Sequence, residues 1–454
     1  MNVTKMRNLL RKRGPLAVPL VAGYFALHYA KRNKAKTALI VTGSGLGLAL
    51  LSYGAGQIGR SNESLVQCGY VTKPNVSEAA AYTITDLGTL GGSFSQASAL
   101  NNRGQVAGTS TTKNGDAHGY VWQNGKMTDM GTLGGDFSVT SALNNNGAAV
   151  GLSVDQDEEY INAFAWRDGK MSRVLQKSEQ ISVATGINDS GAIVGISQDK
   201  QERVWGFARK GDKLLLFRLK DSDFTAVSAI NVGGSIAGFG FTNSGIKAFT
   251  RDAENKFRDL PGLSGEDCFA EAINERGDAA GASFLNDTDT LHGVVWRDGK
   301  PIDLGTLPGL PDSLAFSINR DGAAVGAAYP PDEENESHFG KMPAVSRKDS
   351  IQRYMDILDC IKPTSRLWLD EGSALSDRLA SIDATQEKLR LATAKNELPH
   401  AFIWRNGKIT DLNKLLPSGS GWTLLIAPGI NDKGQISGVG LHDGKVRAFL
   451  LSPK

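Results

Sequence analysis

Histidines and carboxylates are the side chains here with most to offer chemically, and their spacing is the first clue to what they do. His118, His292 and His400 stand in "HGYVW", "HGVVW" and "HAFIW"; Asp86, Asp129, Asp303 and Asp411 stand in "DLG", "DMG", "DLG" and "DLN". A metal cluster needs ligands that converge on one point, whereas these recur at equivalent places along the chain. That recurrence predicts structural work: histidines closing strand ends, and aspartates hydrogen-bonding at turns. Trp122, Trp166, Trp296 and Trp404 share a position in the same way and are expected to pack between neighbouring units. The runs "DQDEEY" and "NDTDT" hold alternating carboxylates that could bind Ca²⁺, but neither has EF-hand spacing, and no cofactor is otherwise implied. Cys68, Cys268 and Cys360 are too few and too scattered for a disulfide scaffold or a zinc site, although a Cys268–Cys360 bridge is conceivable. No GxSxG, P-loop or HExxH motif is present; "GSGLG" at 43–47 lies inside an apolar segment.

The elements that must position these residues are repeats. Asn-x-x-Gly follows a short apolar stretch in "ALNNRG", "ALNNNG", "GINDSG", "AINVGG", "AINERG", "SINRDG" and "GINDKG". The gaps between their glycines are 43, 44, 43, 43, 45 and 112 residues, the last being one period plus 69. Four short β-prone pieces alternate with turns in each unit, and "QNGK", "RDGK" and "RNGK" are strong hairpin signals. Tandem four-strand meanders of this period predict an all-β, seven-bladed β-propeller over 82–454. The last unit stops after three strands, so "YTITDLGTL" at 82–90 is expected to supply its fourth, closing the ring from the N-terminal end. Residues 331–398 form an insertion in the sixth unit, predicted as a helical hairpin from apolar residues such as Ile351, Tyr354, Met355 and Leu358.

These motifs resemble the HAF-repeat family. The resemblance rests on "HAFIW" at 400–404, "NAFAW" at 162–166, "HGYVWQNGKMTDMGTLGG" at 118–135 and the recurring "INxxG". It covers about 82–454, although the second and third units end "MSRVLQ" and "LLLFRL" without the aspartate-glycine signature. It implies an exported propeller-like domain and supplies no catalytic residues.

Charge is distributed unevenly. Residues 1–60 carry ten Lys or Arg and no Asp or Glu, while the rest holds 40 basic and 48 acidic residues, a net of −8. Such an acidic domain speaks against a nucleic-acid partner. Thr37–Gly59 is 23 residues without a charge, enough for one transmembrane helix; Gly14–Ala30 is a shorter, marginal span, and 61–81 reads as a linker. The positive-inside rule then places the propeller outside the cytoplasm, periplasmic or on the cell surface, with membrane lipid as one partner. A cleaved signal peptide is the alternative.

Strand assignment also predicts two faces. The turns between the third and fourth strands of each unit are basic, with Arg167, Lys170, Arg297 and Arg405 among their residues, and are expected to face anionic head groups. The opposite loops carry Asp155, Asp157, Glu158, Glu159, Glu266, Asp267, Asp287 and Asp289, the candidate ligand-binding residues. The expected function is a binding module for a protein or glycan on that acidic, insertion-bearing face. Two alternatives stand: a carbohydrate hydrolase or lyase using carboxylates near the channel, and a structural envelope component.

Overall fold

A computed structural model describes residues 81–156, 161–176, 181–199, 203–222, 224–265, 267–285, 290–330 and 398–454. Every regular element among them is a β-strand except one 3-10 turn at Leu412–Leu415. β1 (Tyr82–Asp86) stands apart, and four-strand units follow it. The first unit is β2 (Gly91–Leu100), β3 (Val106–Thr112), β4 (Ala117–Gln123) and β5 (Lys126–Asp129). The second is β6 (Gly134–Leu143), β7 (Ala149–Asp155), β8 (Ile161–Arg167) and β9 (Lys170–Arg173). The third is β10 (Ser182–Ile187), β11 (Ile193–Gln198), β12 (Val204–Lys210) and β13 (Lys213–Phe217). The fourth is β14 (Phe224–Ile230), β15 (Ile236–Thr242), β16 (Gly245–Arg251) and β17 (Phe257–Leu260). The fifth is β18 (Cys268–Ile273), β19 (Ala279–Phe284), β20 (Leu291–Arg297) and β21 (Lys300–Asp303). The sixth is β22 (Asp312–Ile318), β23 (Ala324–Tyr329), β24 (His400–Arg405) and β25 (Lys408–Asp411). The last is β26 (Trp422–Ile430), β27 (Ile436–His442) and β28 (Lys445–Pro453).

Within a unit each strand pairs antiparallel with the next, the arrangement that short turns permit. Asn124 and Gly125, between β4 and β5, have φ of 50° and 82°, as a two-residue hairpin turn requires. β1 pairs antiparallel with β28, from Tyr82 opposite Pro453 to Asp86 opposite Phe449, so the first strand completes the last sheet. Single parallel bridges, Ala117 to Phe137 and Val204 to Phe224, tie neighbouring units. The result is an all-β, propeller-like fold.

Two features make the first strand of each unit fit the interior. A β-bulge lies near its end, as at Ala97/Ala99 and Thr140/Ala142, which bends the strand. The facing strand carries a glycine where a Cβ would collide with a carbonyl: 1.9 Å from the Val139 oxygen at Gly151. One apolar cluster, including Phe137, Val183, Phe239, Phe269, Leu314 and Ile426, draws on these inner strands. Burying each such side chain contributes about 1.5–3 kcal/mol.

The location expected above is corrected: among the described residues no helix is long and apolar enough to cross a membrane. The 14–30 and 37–59 segments, on which anchoring rested, lie outside those residues. The predicted helical hairpin in 331–398 lies outside them as well, apart from Leu398, which is buried.

Candidate functional site

The Asn-x-x-Gly ruler builds the centre. In the first unit Asn101 Oδ1 accepts the N–H groups of Arg103 and Gln105, closing its own turn. Gly104 completes it at φ 76°, a conformation glycine adopts freely. Asn101 Nδ2 then donates to the backbone carbonyl of Asn144 in the next unit, at 2.9 Å. The same donation runs from Asn144 to Asn188, Asn188 to Asn231 and Asn231 to Asn274. It continues from Asn274 to Asn319, Asn319 to Asn431 and Asn431 back to Asn101. Seven asparagines thus form a closed, buried circle of charge-neutral hydrogen bonds, each 2.9–3.2 Å long. Such a ring holds its geometry because breaking one link orphans a buried donor and a buried acceptor.

The residue after each asparagine stands one step further out. The N–H of Asn102 donates to Asn145 Oδ1, that of Asn145 to Asp189 Oδ1, and that of Val232 to the Glu275 carboxylate. The N–H of Arg320 donates to Asp432 Oδ1, and that of Asp432 to Asn102 Oδ1. Val232 and Arg320 offer no side-chain acceptor, so this outer circle is interrupted after Asp189 and after Glu275. Both circles, with Leu100, Leu143, Ile187, Ile230, Ile273, Ile318 and Ile430 beneath them, line a cavity of about 170 Å³. Asp189, Glu275, Asp432 and Arg320 give its mouth a net charge of −2. Burial raises the Glu275 carboxyl above its usual range, with the Asp189 and Asp432 charges adding to it; the Val232 N–H and Arg320 oppose this but do not cancel it.

Two of the sequence-predicted site residues, Asp155 and Asp267, are described, and neither lines this cavity. Asp157, Glu158, Glu159, Glu266, Asp287 and Asp289 lie outside the described residues. Asp155 is buried and paired with Arg173 at 3.1 Å. Asp267 is buried and accepts the Ile246 N–H at 2.9 Å, tying its unit to the preceding one. Asp312 does the same for Leu291, and burial pushes its carboxyl up to about 6. The carboxylates that do surround a cavity sit in the turns between the first and second strands of their units. Their signal in the sequence is the acidic second residue of three of the Asn-x-x-Gly motifs, Asp189, Glu275 and Asp432.

The recurring histidines and aspartates are joined to one another. His118 Nδ1 donates to Asp129, His292 Nδ1 to Asp303 and His400 Nδ1 to Asp411, each at 2.9 Å. The other role of each aspartate is its turn: Oδ1 accepts from Gly131, Gly305 and Asn413 respectively. In the last unit the histidine's place is taken by Arg447, whose guanidinium binds the Ser93 carbonyl. His442, from the end of β27, pairs with Asp86 instead, with Trp422 stacked on it at 4.5 Å. Cys268 is buried, its thiol pushed up to about 11 by burial, and donates to the Leu260 carbonyl. It occupies the place that Ser138 and Ser313 fill elsewhere, and Cys360 lies outside the described residues. Among the described residues, no group of three or more His, Cys, Asp or Glu is arranged to hold a metal ion. "NDTDT" and most of "DQDEEY", the Ca²⁺ candidates, lie outside them.

No family model matches the chain, and no curated protein matches it. Among solved structures, TolB from Acinetobacter baumannii is similar at 13% identity and TM-score 0.34, over 48% of this chain. The chain spans only 53% of that protein's length. A catalytically inactive virginiamycin B lyase from Staphylococcus aureus, with quinupristin, is similar at 9% identity and TM-score 0.41, over 82% of this chain and 100% of that one. SapL1 lectin in complex with alpha methyl fucoside is similar at 14% identity and TM-score 0.28, over 45% and 77%.

Proposed function

We propose that the chain closes into a seven-bladed propeller and serves as a binding module. Its axial mouth receives a cationic, hydrogen-bonding group on a protein or glycan partner. The observation that carries this reading is the mouth itself: Asp189, Glu275 and Asp432 stand around one cavity beside Arg320. They are seated on a circle of asparagines that links all seven units. Acceptors held in place before binding lose little conformational freedom when a ligand arrives, which favours affinity. The motifs that resemble HAF repeats agree with a repeat-built binding domain and name no ligand.

The repeat supplies a gentle test. Asn102 and Asn145 occupy the positions of Asp189 and Asp432 and accept the same kind of backbone N–H. Asp189→Asn with Asp432→Asn therefore removes charge and keeps the backbone N–H bonds of the circle, giving up only the bonds that Oδ2 accepts from Asn145 and Asn102 Nδ2, and Glu275→Gln completes the set. Calorimetry of the full chain against lysine-rich peptides and amino-sugar oligosaccharides is expected to find a ligand that the triple variant binds at least about tenfold more weakly, one charge contact being equivalent to about 1.4 kcal/mol. Equal affinity in the variant would remove the mouth as the site. Turnover of an oligosaccharide that disappears in the variant while binding survives would favour a carbohydrate-active enzyme instead.

A further inference from the structure

The outermost strand of each unit has one edge without a partner strand, and most of these edges are blunted. β5 (KMTD), β9 (KMSR), β21 (KPID) and β25 (KITD) are four residues long, and each begins and ends with a charged residue. Short, charged edges of this kind discourage pairing with other chains. β13 departs from the rule. It is five residues, KLLLF, and Leu214, Leu215 and Leu216 are 49%, 42% and 47% exposed. These are three of the five large apolar side chains most exposed among the described residues. A fourth, Phe257, lies beside them on β17, its ring 5.8 Å from that of Phe217.

Pairing leaves a template on this edge. β13 joins β12 through the two-residue turn Gly211–Asp212, with Lys210 opposite Lys213 and Leu215 opposite Ala208. In an antiparallel hairpin the residues flanking a two-residue turn exchange hydrogen bonds, and the pattern alternates along the strand. The N–H and C=O groups of Leu214 and Leu216 therefore point away from β12. The strand is also flanked by cations. Residues 209–221 carry Arg209, Lys210, Lys213, Arg218 and Lys220 against Asp212 and Asp221. Arg251, buried and hydrogen-bonded to Asn255, lies over the Phe217 ring at 4.8 Å and supports the end of the strand from within.

The geometry points to β13 as a docking edge for an extended segment of a partner protein, acidic residues alternating with apolar ones, added as a further antiparallel strand. Backbone pairing would come from Leu214 and Leu216, apolar contacts from the leucines and Phe257, and register from the cations at both ends. A second copy of this chain fits poorly, because antiparallel β13–β13 pairing would bring two basic edges together. This inference is independent of the axial mouth.

The test uses the full chain and a fluorescein-labelled octapeptide alternating valine with glutamate, followed by anisotropy. Saturable binding is expected, at least about tenfold tighter than for a valine–lysine counterpart. Leu214→Pro with Leu216→Pro removes the outward donors and keeps the hairpin bonds, since proline is tolerated on an outward-facing edge. That variant is expected to lose at least about tenfold in affinity while its melting temperature stays within about 2 °C. Leu214→Glu with Leu216→Glu, which retains every backbone donor, gives the same loss by charge and covers the case in which the proline variant misfolds. Absence of saturable binding, equal affinity for the two peptides, or full affinity in both edge variants overturns the inference. So does a concentration-dependent dimer, or binding to anionic phosphatidylserine vesicles, that the same substitutions abolish while peptide binding is unaffected.

Discussion

The inner and outer strands of each unit obey different rules. On the inside, identity is strict: an asparagine recurs in every unit, and so does a glycine in the second strand. A Cβ at Gly108, Gly151, Gly195, Gly238, Gly281, Gly326 or Gly438 would lie 1.9–2.1 Å from a carbonyl of the first strand. On the outside the last strand varies from KMTD to KLLLF with no loss of pairing. An inner residue packs against its own unit and both neighbours, so almost any change collides with backbone that has nowhere to move. An outer strand meets one partner strand and solvent. Constraint in this fold falls with distance from the axis.

That contrast can be broken most directly at two glycines. Gly151→Ala places a methyl group against the Val139 backbone oxygen and is expected to cost upward of about 3 kcal/mol. Gly125→Ala sits in an outer turn with nothing within 4 Å, where only its φ of 82° is strained, and should cost about 1 kcal/mol. Urea unfolding of both variants measures the gap, and equal losses would mean that the axis is not the rigid part.

Glu271, in the inner strand β18, sharpens the comparison through pH. It is buried, its Oε2 has no hydrogen-bond partner among the described residues, and burial raises its carboxyl well above the usual range. Ser98, Ser141 and Ser228 occupy the same position in other units, which makes the carboxyl an exception in a small polar layer. The unfolded chain ionises this group from about pH 4.3 upward while the folded chain keeps it protonated. Stability contributed at this site is therefore highest in acid and declines as pH rises, by about 1.4 kcal/mol per unit until the folded group ionises. Glu271→Gln should match the wild type near pH 4 and melt progressively above it toward pH 6. A difference that stays constant with pH would disprove the buried neutral acid.

The outer histidine–aspartate pairs should matter least. Burial raises the carboxyls of Asp129 and Asp303, but the hydrogen bonds from His118 and His292 and from backbone N–H groups outweigh it and leave both below the usual range. A depressed carboxyl contributes stability above its unfolded value, about pH 3.9, that is lost as pH falls through the folded one. Because both side chains are about two-fifths exposed, solvent reduces each contribution to about 0.5 kcal/mol or less. Asp129→Asn with Asp303→Asn should lose slightly less stability between pH 6 and pH 3 than the wild type. An identical acid loss in urea midpoints would assign these pairs to turn geometry alone.

Much of this was legible in the chain. Asn-x-x-Gly marked every turn at the axis because only that pattern closes the turn and still leaves an amide free to reach the next unit. The orphan "YTITD" was legible as the missing strand because the last unit visibly lacked one, and β1 does pair with β28. Whether a loop carboxylate is buried was not legible in the same way. A carboxylate in a loop reads alike whether it faces solvent or, like Asp155 and Asp267, is buried against an arginine or a backbone N–H. The substitution of His442 for a missing histidine was equally hidden, since it comes from a different strand position and depends on Trp422 stacking upon it.

What the sequence determined alone is the local repertoire: strand period, hairpin turns, the repeat and the residues it reuses, all of which depend on neighbours within a few positions. Tertiary structure decided which of those residues share a site. Asp189, Glu275, Arg320 and Asp432 are separated by 86, 45 and 112 positions along the chain and line one cavity. Rotation from unit to unit about a common axis brings them together, and that rotation is set by how buried inner strands pack rather than by any local pattern.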